Sequence, residues 1–500
     1  MRTAPVPPRN PSIHGIMYPV VLLCAIVLFQ AQASARSFYE QGYRMAKTLS
    51  PAYSTLASQL KGEAEPDAWG RAIEMAQRHE ATLARYFPEQ LERLRGMSTA
   101  IGTNPTETIA LSMFLNRGQQ CAQGASAPPA TKDGQVYLTW NFETLTAARP
   151  LFILPLFSIV ENQEGYKFCF LGLPYFFGVP LMNEKGLSLS AASMTINEDG
   201  EGLTPFELAV LVMERAANVD EAAEIAKAMP RYSTSDIYWG NWMNWSFTLA
   251  DAQENVATIE MTTTLFEEIR PESKIVARAN HYDYLPDEMT TCYPLAPQYS
   301  KGEASACFGS RMRASRMWRL LEDNYGKIDL ELVKTFPADT EGGEPFMGRP
   351  SGTWWTIERH SHTLPRDQYV WNDVPYNPQS DVDYVIEQFN LVYEPKRRVL
   401  WWSSGHASRG YFIPIFLAPW FGVEGPTIET YQGPQKNYAR VLNSWVKVSD
   451  ELFGLAEVVL GLGASTAQLF GYTAGIEPNE GSVALGAFRP YGTETPSVDE

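Results

Sequence analysis

From about Ser37 to Asn116 the chain carries apolar residues at helical spacing between charged ones, most regularly over Ala68 to Leu94, and this predicts helices. Asn104-Pro105-Thr106-Glu107 is a helix start: Asn caps, Pro fits the first turn, and Glu stands three places after the cap. That helix is expected to run through Ile109, Leu111 and Phe114 and to end near Arg117-Gly118. After Cys121 the texture changes. Lys132-Asp133-Gly134 followed by QVYLTWNF predicts a hairpin entering a strand. Further strand-like runs follow at 156–161, 167–172, 187–195, 245–251, 255–261 and 274–280. Helical stretches at 204–228 and 311–325 interrupt them, and a last strand pair, 384–395 and 397–405, turns at a charged Pro-Lys-Arg. With no internal repeat and no long linker, the pattern predicts sheets covered by helices in one large domain of mixed α and β class.

The two ends differ from this body. Arg2 and Arg9 precede the apolar run Met17 to Phe29, and the small residues Ala31, Ala33 and Ala35 follow. That is a signal-peptide layout, cleaved after Ala33 or Ala35, and it predicts a secreted or periplasmic protein; an uncleaved membrane anchor is the alternative. Near the other end, Leu452 to Ile476 is apolar and rich in small residues, with Glu457 as its one charge. It reads as a helix or helical hairpin packed on the body. A membrane-associated tail is the alternative, which Glu457 and the glycines disfavour.

Composition narrows the function. The 500 residues are 45% hydrophobic, enough for a sizeable core, and a net charge of −17 argues against nucleic acid or an anionic membrane as partner. Beyond the leader, Cys121, Cys169, Cys292 and Cys307 are too few for a disulfide scaffold. Cys292 and Cys307 flank a polar stretch and are candidates to pair, whereas Cys169 in KFCFLGL reads as a buried strand residue. His360 and His362 lack carboxylate or Cys partners in spacing, so no metal site is expected.

A lone Cys between a helix and a hairpin is most often a packing or redox residue. The setting of Cys121 says more. The stretch CAQGASAPPATKDGQVYLTWNFE, Cys121 to Glu143, resembles the junction of the acyl-coenzyme A:isopenicillin N acyltransferase-like family of autoproteolytic N-terminal-nucleophile hydrolases. There a Cys opens a strand, a T-x-D-G turn follows, and a second strand ends in N-W-D. Leu91 to Gly102 and the TETIAL helix are similar to that family's pro-segment. Downstream, Asn183 to Leu187, Phe247 to Glu260, Ala279 to Tyr282, the series Ser310, Arg313, Arg316, and Tyr393 to Trp401 continue the likeness in order.

The resemblance implies an α+β fold, a four-layer αββα sandwich with a helical N-terminal pro-segment and a helical C-terminal extension. The expected divisions are a signal peptide at 1–35, a pro-segment or small chain at 36–120, a catalytic chain at 121–421 and an extension at 422–500. It also implies that the chain cuts itself between Gln120 and Cys121. Cys is a nucleophile only as thiolate and needs a base. A freed α-amine titrates near pH ~8, close enough to neutrality to serve, while an amide nitrogen is not basic. No cofactor is then required. The expected reaction is attack on a linear amide, thioester formation at Cys121, and transfer of the acyl group to water or another amine.

The family also holds its oxyanion with a side-chain amide and backbone N–H groups, each worth ~3 kcal/mol. Asn244 is the candidate by residue type, but the family position, five before Asp251, is held by Ser246. Both fall on one face of a strand. Asn244-Trp245-Ser246 is also a glycosylation sequon. Glu143 stands where the family has the Asp that orients the Cys, and Asn141 matches the motif's Asn. Arg313 is expected to contact a carboxylate, either structural or on the substrate. Asn280 and His281 read as core or loop-anchoring residues. Aromatic runs at 174–177 and 353–355 suit an acyl pocket or plain core. Expected partners are a small-molecule or lipid amide and the two associated halves of one precursor. A phospholipase B-like or ceramidase-like lipid hydrolase, or an exported binding protein that has lost the chemistry, are the competing readings.

Overall fold

A computed structural model describes residues 37–47, 66–116, 120–145, 157–161, 164–194, 196, 198–234, 244–285, 308–339, 357, 370–371, 374–375, 385–404, 407, 411–445 and 447–448. The leader, Cys292, Cys307, His360, His362, the 353–355 aromatics and the apolar tail 452–476 lie outside them. Among the described residues no helix is long and apolar enough to cross a membrane.

Helices come first among the described residues: α1 Phe38–Lys47, α2 Pro66–Tyr86, α3 Pro88–Ile101 and α4 Pro105–Leu115. Ala72, Ala76, His79 and Leu83 form the buried stripe of α2, as its spacing predicts. Helices α1 and α3 touch at backbone distance through two glycines. A Cβ on Gly42 would lie 1.9 Å from the Arg93 carbonyl oxygen, and one on Gly96 would lie 2.0 Å from that of Tyr39. The Asn104 side chain accepts the Glu107 backbone N–H at 2.8 Å, with Pro105 in the first turn, as the sequence predicts. The helix stops at Leu115, slightly before the expected end.

The strands follow: β1 Gln120–Ser126, β2 Tyr137–Leu145, β3 Phe157–Val160, β4 Phe168–Leu173, β5 Phe177–Asn183 and β6 Ser188–Met194. Helices α5 Pro205–Arg215 and α6 Val219–Ala228 replace the single stretch expected at 204–228; the chain breaks helix at Ala216, and Asn218 caps the second one. Next come β7 Asn244–Ala250, β8 Val256–Met261, β9 Phe266–Ile269, β10 Ile275–Arg278, α7 Phe308–Asp323 and α8 Leu330–Val333. The short pair β11 Val370–Trp371 and β12 Val374–Pro375 precedes β13 Val385–Glu394, β14 Val399–Ser404 and β15 Ile413–Phe416. The described chain closes with α9 Ala418–Phe421, α10 Lys436–Trp445 and β16 Lys447–Val448.

Two large sheets result. One runs β10-β1-β2-β13-β14-β15 and is antiparallel throughout; the other runs β16-β3-β4-β5-β6-β7-β8-β9, antiparallel except where β16 joins β3. The mixed α and β class is as expected. The sheets meet through β1 and β2 on one side and β6 and β7 on the other, while α7 packs on β1 and β10 and α5 packs on β5. Trp140, Phe142, Phe389 and Phe247 fill the core, with Phe142 and Phe389 stacked at 4.6 Å between ring centroids. Cys169 is fully buried in β4. Tyr175 and Phe176 are buried in the turn between β4 and β5.

The N-terminal helices are fastened to the body by buried polar contacts. Arg93 pairs with Glu214 at 2.9 Å and lies 3.8 Å over the Tyr175 ring. His79 Nε2 sits 2.8 and 2.9 Å from the two Glu207 carboxylate oxygens. Ser112 and Asn116 both donate to the Phe176 carbonyl.

Candidate active site

Cys121 is the second residue of β1, fully buried, and it lies opposite Phe142 of β2. Gln123, two places on, lies opposite Trp140. Side chains alternate along a strand, so Cys121, Gln123, Trp140 and Phe142 share one face, and Ala122, Asn141 and Glu143 the other. Gln123 accepts a 2.6 Å hydrogen bond from Thr248 of β7, which identifies the first face as the one turned to the second sheet. Burial pushes the Cys121 thiol well above its usual range; the Trp140 indole opposes this, Glu143 adds to it, and Arg313 works against it.

On its outer side β1 pairs with β10 only from Gln123 onward, where Arg278 ends the edge strand. Beyond that point side chains take over the strand's role. Asn280 Oδ1 accepts the Cys121 N–H at 3.0 Å, and Arg313 Nη1 donates to the Cys121 carbonyl at 2.6 Å. Arg313 Nη2 also donates to Asn280 Oδ1 at 2.9 Å, and Asn280 Nδ2 donates to the Ser193 carbonyl of β6 at 3.0 Å. Asn280 therefore ties the backbone of Cys121 to both sheets and to α7.

Arg313 is almost wholly buried, and its guanidinium stands 3.5 Å from the equally buried Glu143 carboxylate. Glu143 is thus a structural carboxylate beside Arg313. The Glu143 side chain lies on the face of β2 opposite the thiol, beside Arg313. A buried guanidinium needs such a partner, since an uncompensated charge there is costly.

Asn141 lies on the outer face of β2, whereas Asn244 and Ser246 share the inward face of β7 with Thr248. Asn141 donates to the Pro337 carbonyl at 2.8 Å and anchors the segment after α8. Asn244, at the start of β7, donates to the Ser233 hydroxyl at 2.9 Å. Ser246 shares the face of Thr248 and is fully buried, with its hydroxyl lacking a partner among the described residues. Gln120 pairs with Glu143 in the strand register, with Cys121 following in the same strand.

Asn280 is the contact that sequence reasoning missed, having read it as a loop anchor. Its neighbours explain its placement. Glu260 of β8 accepts the backbone N–H groups of Asp283, Tyr284 and Leu285 at 2.9, 2.9 and 3.2 Å. His281 bridges Ser310 at 2.7 Å and Asp283 at 3.0 Å. These bonds fix the segment after β10 against the start of α7, which brings Asn280 and Arg313 together.

With this geometry in view, the chain can be set against known proteins. Residues 150–355 match the model of the AAT family, acyl-coenzyme A:6-aminopenicillanic acid acyl-transferase, in keeping with the resemblance carried by the motifs. The match is to an acyl-transferring enzyme and begins after Cys121. No curated protein matches the chain. Among solved structures, a mutant of the conjugated bile acid hydrolase from Clostridium perfringens is 13% identical, with a TM-score of 0.32, covering 57% of this chain and 89% of its own. Penicillin V acylase from Agrobacterium tumefaciens is 12% identical with a TM-score of 0.33, covering 59% of this chain and 86% of its own.

Proposed function

We propose that the chain cuts itself between Gln120 and Cys121, and that the freed Cys121 is the nucleophile of an amide hydrolase or acyltransferase with a four-layer αββα body. The observation that carries this is the hold on the Cys121 backbone. Asn280 takes its nitrogen and Arg313 its carbonyl, where a strand would ordinarily pair. Side chains there leave the nitrogen held as amide before the cut and as amine after it.

In self-cleavage, Cys121 Sγ bonds to the Gln120 carbonyl carbon, the C–N bond breaks, and the thiol proton passes to the Cys121 nitrogen. Water then hydrolyses the thioester, leaving a Gln120 carboxylate and a free thiol. In turnover the α-amine takes the thiol proton as Sγ attacks an external amide carbonyl and later gives it to the leaving amine. Water or a second amine then removes the acyl group. Asn280 orients the amine, and Arg313 fixes the strand with Glu143 balancing its charge. Asn244 and Ser246, both on the inward face of β7, are the side-chain donors offered to the oxyanion from the facing sheet. The substrate is a small-molecule or lipid amide. The two chains stay together after the cut, in a secreted or periplasmic protein.

The test is to incubate the processed protein with a panel of acyl amides, quench in acid, and measure intact mass. An acyl adduct on Cys121, lost in a Cys121→Ala chain, is expected. Amide turnover that persists in Cys121→Ala would overturn the assignment.

A further inference from the structure

Three fully buried donors on the facing sides of the two sheets have no hydrogen-bond partner among the described residues: the Trp140 indole Nε1 and the Gln123 amide Nε2 on the face of Cys121, and the Ser246 hydroxyl on the face of β7 opposite. Most buried polar groups are paired, so unpaired donors on the face of a nucleophile suit an acceptor that arrives during reaction. Trp140 is the most constrained of the three. Its ring is held edge-on by Phe142 at 5.6 Å and by Phe389 at 5.9 Å, and it projects from the same face as Cys121, one alternate position along the paired strand. Among the groups acting on the thiol, the indole does most to favour the thiolate. A donor on the thiol's own face of the strand pair, without a partner among the described residues, is placed for an oxygen on the carbon that sulfur attacks.

We propose that the Trp140 indole N–H is a catalytic donor to the oxyanion formed when Cys121 attacks a carbonyl, an inference that rests on Cys121 being the nucleophile. As the S–C bond forms, the carbonyl π pair moves to oxygen, and the indole N–H donates to it. Collapse of the oxyanion restores the carbonyl as the C–N bond breaks, and the leaving nitrogen takes the proton. The indole keeps its own proton throughout. Ser246 of the facing sheet is the second donor to the same oxygen. A neutral donor suits this place, since no charge has to be buried beside the thiol before the reaction.

The test replaces Trp140 with 3-benzothienylalanine, which keeps the bicyclic shape and puts sulfur where the N–H was. The full chain is made by cell-free translation, and the fraction cut before Cys121 is followed over time. Cleavage is expected to slow by about 10²-fold, the usual loss for one oxyanion donor, with an unchanged melting temperature. Cleavage within about threefold of the wild type would overturn the role of the indole. A wild-type chain that is never cut would overturn the reading of Cys121 instead, so the two failures are distinguishable. Trp140→Phe, which keeps an aromatic ring in the packing and removes the donor, is read beside the benzothienylalanine chain, with urea unfolding of both variants guarding against a folding effect. The proposal requires that Trp140→Phe also slow cleavage without loss of stability, and it falls if a stably folded Trp140→Phe chain is cut at the wild-type rate.

Discussion

Arg313 and Asn280 are joined by a 2.9 Å hydrogen bond, and between them they occupy both backbone polar groups of Cys121. One residue comes from a helix on the outer face of the sheet and the other from the segment after the edge strand. Their meeting point is where β1 exchanges strand pairing for side chains.

Asn280 therefore controls where the Cys121 nitrogen sits. Asn280→Ala is expected to slow self-cleavage by about 10²-fold, the cost of a small misplacement of reacting groups. The cut fraction against time, read by gel, checks this. A rate equal to that of the wild type removes Asn280 from the account.

The Arg313–Glu143 pair should behave as one unit in stability. Arg313→Met leaves a buried carboxylate without its cation and is expected to cost about 3–5 kcal/mol in urea unfolding. Glu143→Gln in the same chain should recover part of that loss, because the buried charge is gone. Arg313→Lys should not restore cleavage, since an ammonium cannot span the Cys121 carbonyl and Asn280 together. Equal stability of the single and double variants would contradict the pairing.

Burial raises both the Cys121 and the Cys169 thiols, so the fold favours their neutral forms. A folded value above the unfolded one means that this stability is whole below about pH 8.5 and is lost as pH rises beyond it. Each thiol contributes a slope of at most about 1.4 kcal/mol per pH unit. Cys169→Ala should show a shallower alkaline decline in urea unfolding than the wild type, whatever its stability at neutral pH. For the uncut chain the same shift predicts cleavage that quickens with pH, because only thiolate attacks.

The helices before Cys121 should stay bound once the chain is cut. Arg93 with Glu214 and His79 with Glu207 are buried pairs that cross from those helices to the body. Gel filtration of the cut protein is expected to give one peak containing both chains. Separation without denaturant would show that the buried pairs do not hold the halves together.

Local chemistry was readable from the sequence wherever a short range decided it. The Asn104 cap, the β1–β2 hairpin and the buried Cys169 all follow from neighbours along the chain. The site was readable only in part. Cys121 stood out by its surroundings, but Asn280 depends on where β10 ends, which no local pattern reveals. Asn141 and Glu143 drew notice by their match to the family motif, while the register puts Trp140 and Phe142 on the side of the thiol. Alternation along QVYLTWNF contained that division, but choosing the face required knowing which residue pairs with Cys121. The Asn244 bond to Ser233 likewise spans 11 positions that no local pattern joins.

The most direct measurement is N-terminal sequencing and intact mass of the purified protein. The account predicts two chains, the larger beginning at Cys121, and a single uncut chain for Cys121→Ala. A wild-type protein that remains whole across Gln120–Cys121, or a Cys121→Ala chain that is still cut there, would contradict it.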